Sequence, residues 1–264
     1  MKNQKNKIRA KKFLANFLIL FFCATNSFAS SSRNLTVFAE PNMSLALTKI
    51  SRLYSQKSDV IVSANFNSSA DLIGNIDSGE PADVFISAHP AWIETLHQKG
   101  LVDVYNVGFV AKDSLVLVAL KSNPNLPESL KQKNLSVEEG LKILNQNKAT
   151  LILDYEGNSS GKFSNDLVNN LQLFDLQIFR KLAEDKSPLF HNIKNDNTHY
   201  ALLLASQVKN DPDFQILATK NDLGIFYRAL VIAGDNMDVA REFLKFLKTE
   251  PAKKILTQSG FDES

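Results

Sequence analysis

An α/β fold follows from three features of the sequence. Short apolar runs of strand character alternate with segments whose apolar residues recur at helical spacing. The helical segments open on small polar residues, and two of them close at Gly79 and Gly100. A polar stretch over 121–135, carrying Pro124 and Pro127, divides the chain near its middle. Strands alternating with helices imply β-α units, a mostly parallel sheet and helices on both of its faces. With a linker in the middle and a return at the end, the pattern suggests two lobes around a cleft.

The elements follow in order. Leu35 to Ala39 reads as a strand, and Met43, Ala46, Leu47, Ile50, Leu53 and Tyr54 then mark a helix. Val60 to Ala64 is a β-branched strand, followed by a short helix through Leu72, Ile73 and Ile76. Val84 to Ile86 is a buried strand, and Pro90 to Lys99 is a helix stopped by Gly100. The most apolar strand is Leu115 to Leu120, "LVLVAL". After the linker, Ser136 and Glu139 form a capping box for a helix through Leu144. Leu151 to Leu153 is the next strand, and a helix is expected from about Lys162 to Leu171. Beyond it come a helix near Tyr200 to Val208, a strand near Phe214 to Leu217, the apolar run Ala229 to Ala233, and closing helices over Asp238 to Leu247 and Ala252 to Gln258.

Residues 1–29 read as a cleaved signal peptide. Six cationic residues from Lys2 to Lys12 precede the apolar run Phe13 to Ala24, and Ser27-Phe28-Ala29 places small residues for cleavage after Ala29. The run is shorter than the roughly 20 residues a membrane-spanning helix needs. The segment holds six of the 30 Lys and Arg residues and none of the 28 Asp and Glu residues, so the mature chain has 24 cationic against 28 acidic side chains, a formal charge of −4. That removes the compositional case for nucleic acid. The single cysteine, Cys23, leaves with the segment, and the remaining 235 residues are held by an ordinary core without disulfides.

Four junctions could carry function. "AEPNM" runs from the first strand through Glu40-Pro41-Asn42 into a helix, where backbone N–H groups form a natural anion site; taken alone, the junction reads first as Asn42 serving as a plain N-cap. "NFNSSADLIGNI" places Ser68 and Ser69 at a second helix start, "EGNSSGKF" places Ser159, Ser160 and Gly161 at a third, and "NDNTHYALLL" offers Asn197 or Thr198 as the cap of a fourth. Together they could surround an anion with neutral donors. "EGNSSGKF" lacks the order and spacing of a P-loop. His89, His97, His191 and His199 show no metal pairing, no nucleophile elbow is present, and no pair of carboxylates is placed for acid–base work. Asp83 reads as structural, and Trp92 as packing rather than a stacking platform.

The runs "LTVFAEPNMSLAL", "NFNSSADLIGNIDSGEPADVFISA" and "DSLVLVAL" resemble the N-terminal half of the periplasmic molybdate-binding (ModA) family of ABC importers. "GEPADVFISA", Gly79 to Ala88, is the most specific of these, and "YRALVIAGDNMDVAREFLKFLKTEPAKKILTQSGF" resembles the family's C-terminal part. The resemblance implies the type II periplasmic binding protein fold: two α/β lobes, each a mixed sheet flanked by helices, with the ligand in the cleft between them. Lobe I would be 30–119 plus 230–264, and lobe II, shortened relative to the family, 120–229. It implies a periplasmic, monomeric, non-enzymatic receptor that takes molybdate or tungstate without a cofactor or a direct protein ligand to the metal, and delivers it to a membrane permease. Carried over by motif, the ligand contacts are Asn42 and Ser69 from lobe I and Ser160 and Thr198 from lobe II, with Tyr227 as the tyrosine of "LGIFY". Asn42 stands where the family has serine, and Glu40 near a common alanine; a carboxylate there is expected to point away from a dianion or be screened. Tyr227 also aligns with the tyrosine that opens the return strand, which would leave the family's ligand tyrosine missing. The same scaffold with sulfate, phosphate or an organic acid is the alternative, and an exported enzyme on this fold a remote one.

Overall fold

The computed structural model describes residues 33–132, 134–171, 173, 176–180 and 193–262. The expected signal peptide, 1–29, lies outside them, and so does His191. Among the described residues, eight strands form one mixed sheet in the order β2-β1-β3-β8-β4-β7-β5-β6. They are β1 (Arg33–Ala39), β2 (Val60–Phe66), β3 (Val84–Ser87), β4 (Val102–Leu120), β5 (Thr150–Leu153), β6 (Gln177–Arg180), β7 (Tyr200–Leu204) and β8 (Phe214–Ile232). The outer pairs β1·β2, β1·β3, β5·β6 and β5·β7 are parallel, as β-α units require. The middle is antiparallel, because β8 returns beside β3 and β4, and β4 runs against β7.

The two central strands, 19 residues each, serve both halves of the sheet. The helices flanking the first half are α1 (Ser44–Ser55), α2 (Ser69–Asp77), α3 (Pro90–Gln98), α7 (Met237–Leu247) and α8 (Glu250–Gln258); those of the second half are α4 (Val137–Gln146), α5 (Ser159–Asn169) and α6 (Ala205–Val208). Strand alternation sorts the apolar side chains into a cluster on each face of each half. In the first half, Leu35, Val37 and Ala39 of β1 pack with α1, α7 and α8, while Phe38 turns to α2 and α3. In the second, Leu117 and Ala119 of β4 face α4 and α5, and Val116, Val118 and Leu120 face the other side with Val208 and Phe214. The "LVLVAL" run is apolar throughout because both of its faces are covered.

One sequence expectation is corrected. Tyr200 to Val208 is not a helix: Tyr200–Leu204 is the strand β7, and only Ala205–Val208 is helical. All five residues of β7 are buried between β4 and β5, so the run has no polar face to betray its period. Elsewhere the helix starts are close to those expected, and the Ser136/Glu139 capping box is formed in both directions.

Strand direction sets where chemistry can collect. β1, β2 and β3 end toward the second half, while β5 and β7, running the opposite way, end toward the first. The carboxyl ends of both sets of strands therefore meet beside the middles of β4 and β8.

Candidate functional site

Glu40 follows the last residue of β1 and leads into a 3-10 turn, Pro41–Met43, that opens α1. Its extended backbone (φ −67°, ψ 151°) directs the side chain inward, and only 2% of the residue is exposed. Oε1 accepts from Ser69 Oγ at 2.5 Å, Ser159 Oγ at 2.5 Å, Ser87 Oγ at 3.1 Å and the Ser159 backbone N–H at 3.1 Å. The hydroxyls also touch one another, Ser69 to Ser87 at 2.9 Å and Ser87 to Ser159 at 3.2 Å. Ser69 opens α2, Ser87 closes β3 and Ser159 opens α5. The expectation that Glu40 turns its charge away is therefore overturned. Ala39 and Met43 on either side are buried in the core, and the Glu40 side chain between them is buried with its donors.

The donors are free for this task because other groups do the local work. Ser68 caps α2 by accepting the Asp71 N–H, leaving the Ser69 hydroxyl unclaimed. At α5 the N-cap Asn158 makes no side-chain cap bond, and the first N–H of the helix is satisfied by Glu40, which comes from the other half of the sheet. A carboxylate at a helix N-terminus is favoured by the backbone dipole, and charge-assisted bonds of this type are about twice as strong as neutral ones. The turn before α5 is tight enough to require Gly161, since a Cβ there would lie 2.1 Å from the Tyr155 carbonyl oxygen.

A second polar chain adjoins the first. Asn42 Nδ2 donates to Tyr227 OH at 2.5 Å and to Ser206 Oγ at 2.9 Å. The Ser206 N–H donates to Asp113 Oδ1 at 3.2 Å, and the Ser114 N–H to the same oxygen at 2.8 Å. Burial raises the Glu40 pKa against the lowering effect of the Ser159, Ser69 and Ser87 donors. Tyr227 is pushed far up by burial and by the Glu40 and Asp113 carboxylates beside it. Asp113 is raised to about 7, chiefly by burial. The cluster thus presents neutral donors to anionic oxygen; no lysine or arginine among the described residues acts on Glu40.

The sequence-derived residues are distributed unevenly over this arrangement. Ser69 lies in the hydroxyl knot. Asn42 and Tyr227 lie in the adjoining chain. Ser160 is turned away, its Oγ donating to Asp154 Oδ2 at 2.5 Å within its own turn, and the neighbouring Ser159 supplies the hydroxyl instead. Thr198 bonds Asp196 through its N–H and hydroxyl. It precedes Tyr200, which pairs with Ala119 at the far end of β4, whereas Ser206 follows Leu204, which pairs with Leu115 near Asp113. Sequence reasoning left out Ser87 and Ser206, and it placed Ser159 at the third junction but carried the contact to Ser160. Ser87 stood in the quoted "GEPADVFISA" run, and alternation along β3 could have flagged it. Asp83 accepts the Thr36 N–H at 2.7 Å, a structural bond between neighbouring strands. Trp92 packs against the α2–α3 cluster.

Further contacts join the halves around the knot. The His89 N–H donates to Ser159 Oγ at 2.9 Å, and Ala70 N–H to the Gly157 carbonyl at 3.1 Å. The His89 ring lies 4.4 Å from the Phe163 ring and its Nε2 3.3 Å from Asp166 Oδ2; burial lowers its pKa.

Residues 35–262 match the family model described as bacterial extracellular solute-binding protein. The chain is 27% identical to the molybdate-binding protein ModA of Haemophilus influenzae, over 89% of this chain and 92% of that protein. It is 25% identical to the molybdate-binding protein ModA of Escherichia coli, over 96% and 98%. Among solved structures, the tungstate ABC transporter protein of Geobacter sulfurreducens superposes with a TM-score of 0.67 at 16% identity, covering 85% of this chain and 98% of that one.

Proposed function

The chain belongs to the bacterial extracellular solute-binding proteins, and from that premise we propose that it is the binding component of an ABC importer for a small tetrahedral oxyanion, molybdate or tungstate. The observation that carries the proposal is the convergence of three serine hydroxyls and one helix N–H, from both halves of the sheet, on a single anionic oxygen. Such a cage holds an anion by hydrogen bonds alone, which suits an oxyanion that must later be released intact. Ser69, Ser87 and Ser159 form its walls, with Asn42 and Tyr227 as adjoining donors. Ser160 and Thr198 stay outside the proposed shell because their hydroxyls are engaged elsewhere. The names of the relatives, molybdate-binding and tungstate transporter proteins, support the choice of ion.

The rest of the reading goes with this role. The protein is a monomeric, non-enzymatic receptor of the periplasm, exported by the cleaved segment 1–29, and it hands its solute to a membrane permease. Its lobes are 30–119 plus 230–264 and 120–229, moving about the middles of β4 and β8. Thermal melting with molybdate, tungstate, sulfate and phosphate in turn tests the solute. A ligand that binds only the folded chain adds about 4 kcal/mol at a thousandfold excess over Kd, so molybdate or tungstate is expected to raise the midpoint and the others less. No shift with either metal oxyanion at millimolar concentration refutes the assignment.

A further inference from the structure

The cage described above holds an oxygen of the protein itself. Glu40 reaches it from the end of β1, accepts from the Ser69, Ser87 and Ser159 hydroxyls and the Ser159 N–H, and caps α5 across the junction. Two anions cannot share these donors: each hydroxyl has one proton to give, and the four contacts already crowd a single oxygen. Among the described residues, no lysine or arginine acts on Glu40 to offset a second negative charge. We propose that Glu40 is a resident competitor for the anion site, its carboxylate and a bound oxyanion excluding each other from one cage.

This rests on the oxyanion reading and adds a specificity element to it. A solute must displace Glu40 to bind, and displacement is easier when Glu40 carries a proton, because the neutral acid holds the donors less strongly than the carboxylate. Burial, which raises the Glu40 pKa, brings that protonation toward accessible pH. The other titratable groups around the cage do not supply the same switch. Tyr227, from β8, is held neutral by its strongly raised pKa. Asp113, from β4, is raised to about 7, but its hydrogen bonds go to the Ser114 and Ser206 N–H groups, and it bears on the cage only through its charge on Tyr227. His89, at the start of α3, presents its backbone N–H to Ser159 and turns its imidazole to Asp166.

The test compares wild type with Glu40→Gln, which keeps the volume and removes the charge, and Glu40→Ala, which removes both. Affinity for molybdate and tungstate is measured by calorimetry from about pH 5.5 to about pH 8, with folding checked by circular dichroism. Wild type is expected to bind about tenfold or more weakly at the high end than at the low end. Glu40→Gln is expected to lose most of that dependence, keeping only what the Asp113 titration contributes, and to bind about tenfold tighter than wild type at the high end, and Glu40→Ala at least as tightly. If Glu40→Ala fails to fold, the Glu40→Gln pH profile decides alone. Folded variants that bind no tighter than wild type, or a wild-type profile that matches Glu40→Gln, overturn the competitor. If no variant binds any of molybdate, tungstate, sulfate or phosphate while all are folded, the oxyanion reading itself falls.

Discussion

Two buried carboxylates lie on one polar seam, and their surroundings could hardly differ more. Glu40 and Asp113 are 2% and 1% exposed. Glu40 receives three hydroxyls and an N–H gathered from α2, β3 and α5. Asp113 receives two backbone N–H groups on Oδ1, and its Oδ2 is buried with no hydrogen-bond partner among the described residues. A buried carboxylate either collects donors or gives up its charge. Asp113 takes the second course, with a pKa of about 7. Glu40 is caught between the two, since burial lifts its pKa while its donors resist. Saturation by side chains from several elements marks a grip that can open; partial satisfaction by rigid backbone marks a fixed group that holds a proton.

The largest effect that tests this contrast is the pH dependence of stability. The Asp113 pKa is raised on folding, so the native state holds a proton that the unfolded chain releases between about pH 4 and about pH 7, and stability falls as pH rises through that window. At full ionisation the loss is on the order of 4 kcal/mol. Asp113→Asn is expected to flatten the decline, measured by urea denaturation across the window; an unchanged slope would move the proton to another group. Next comes Ser69→Ala, which withdraws one donor from Glu40 or from a bound oxyanion. It is expected to cost about 2 kcal/mol of stability by urea denaturation, and unchanged stability would remove Ser69 from the cage; molybdate affinity changes little, because Glu40 and the oxyanion lose the same donor. Tyr227→Phe is expected to cost about 1 kcal/mol by thermal melting, because Asn42 keeps Ser206 as an acceptor. The smallest effect belongs to Thr198→Ala. It should change stability by no more than about 0.5 kcal/mol and leave affinity unaltered, whereas a clear loss of binding would bring Thr198 into the shell.

The first half of the fold was readable because its strands and helices alternate with visible periods and its junctions carry capping residues. The middle was harder. β7 is apolar on both faces, and the first part of β4 mixes polar and apolar residues while crossing between the two cores, so neither has the period that identifies it. At the site, the serine pair opening α5 was plain, yet which hydroxyl faces the cage depends on the first helical residue, and Ser159 rather than Ser160 holds that place. That Glu40 has the wrong charge for an anion site could be read from its type alone. Its direction could not, because direction depends on a backbone held by core residues on either side.

The position of β8 has a consequence for how the chain folds. β1 neighbours β3, but β3 is completed only by Val231, Leu230, Ala229 and Arg228 of β8, and the core beneath them is closed by α7, α8 and Phe261. The first strand made therefore waits for nearly the last residues before its half of the sheet is whole. Pairings of such long separation must close large loops before they gain contacts, which slows folding. A chain arranged this way cannot close the first half of its sheet until β8 and the two C-terminal helices have been made.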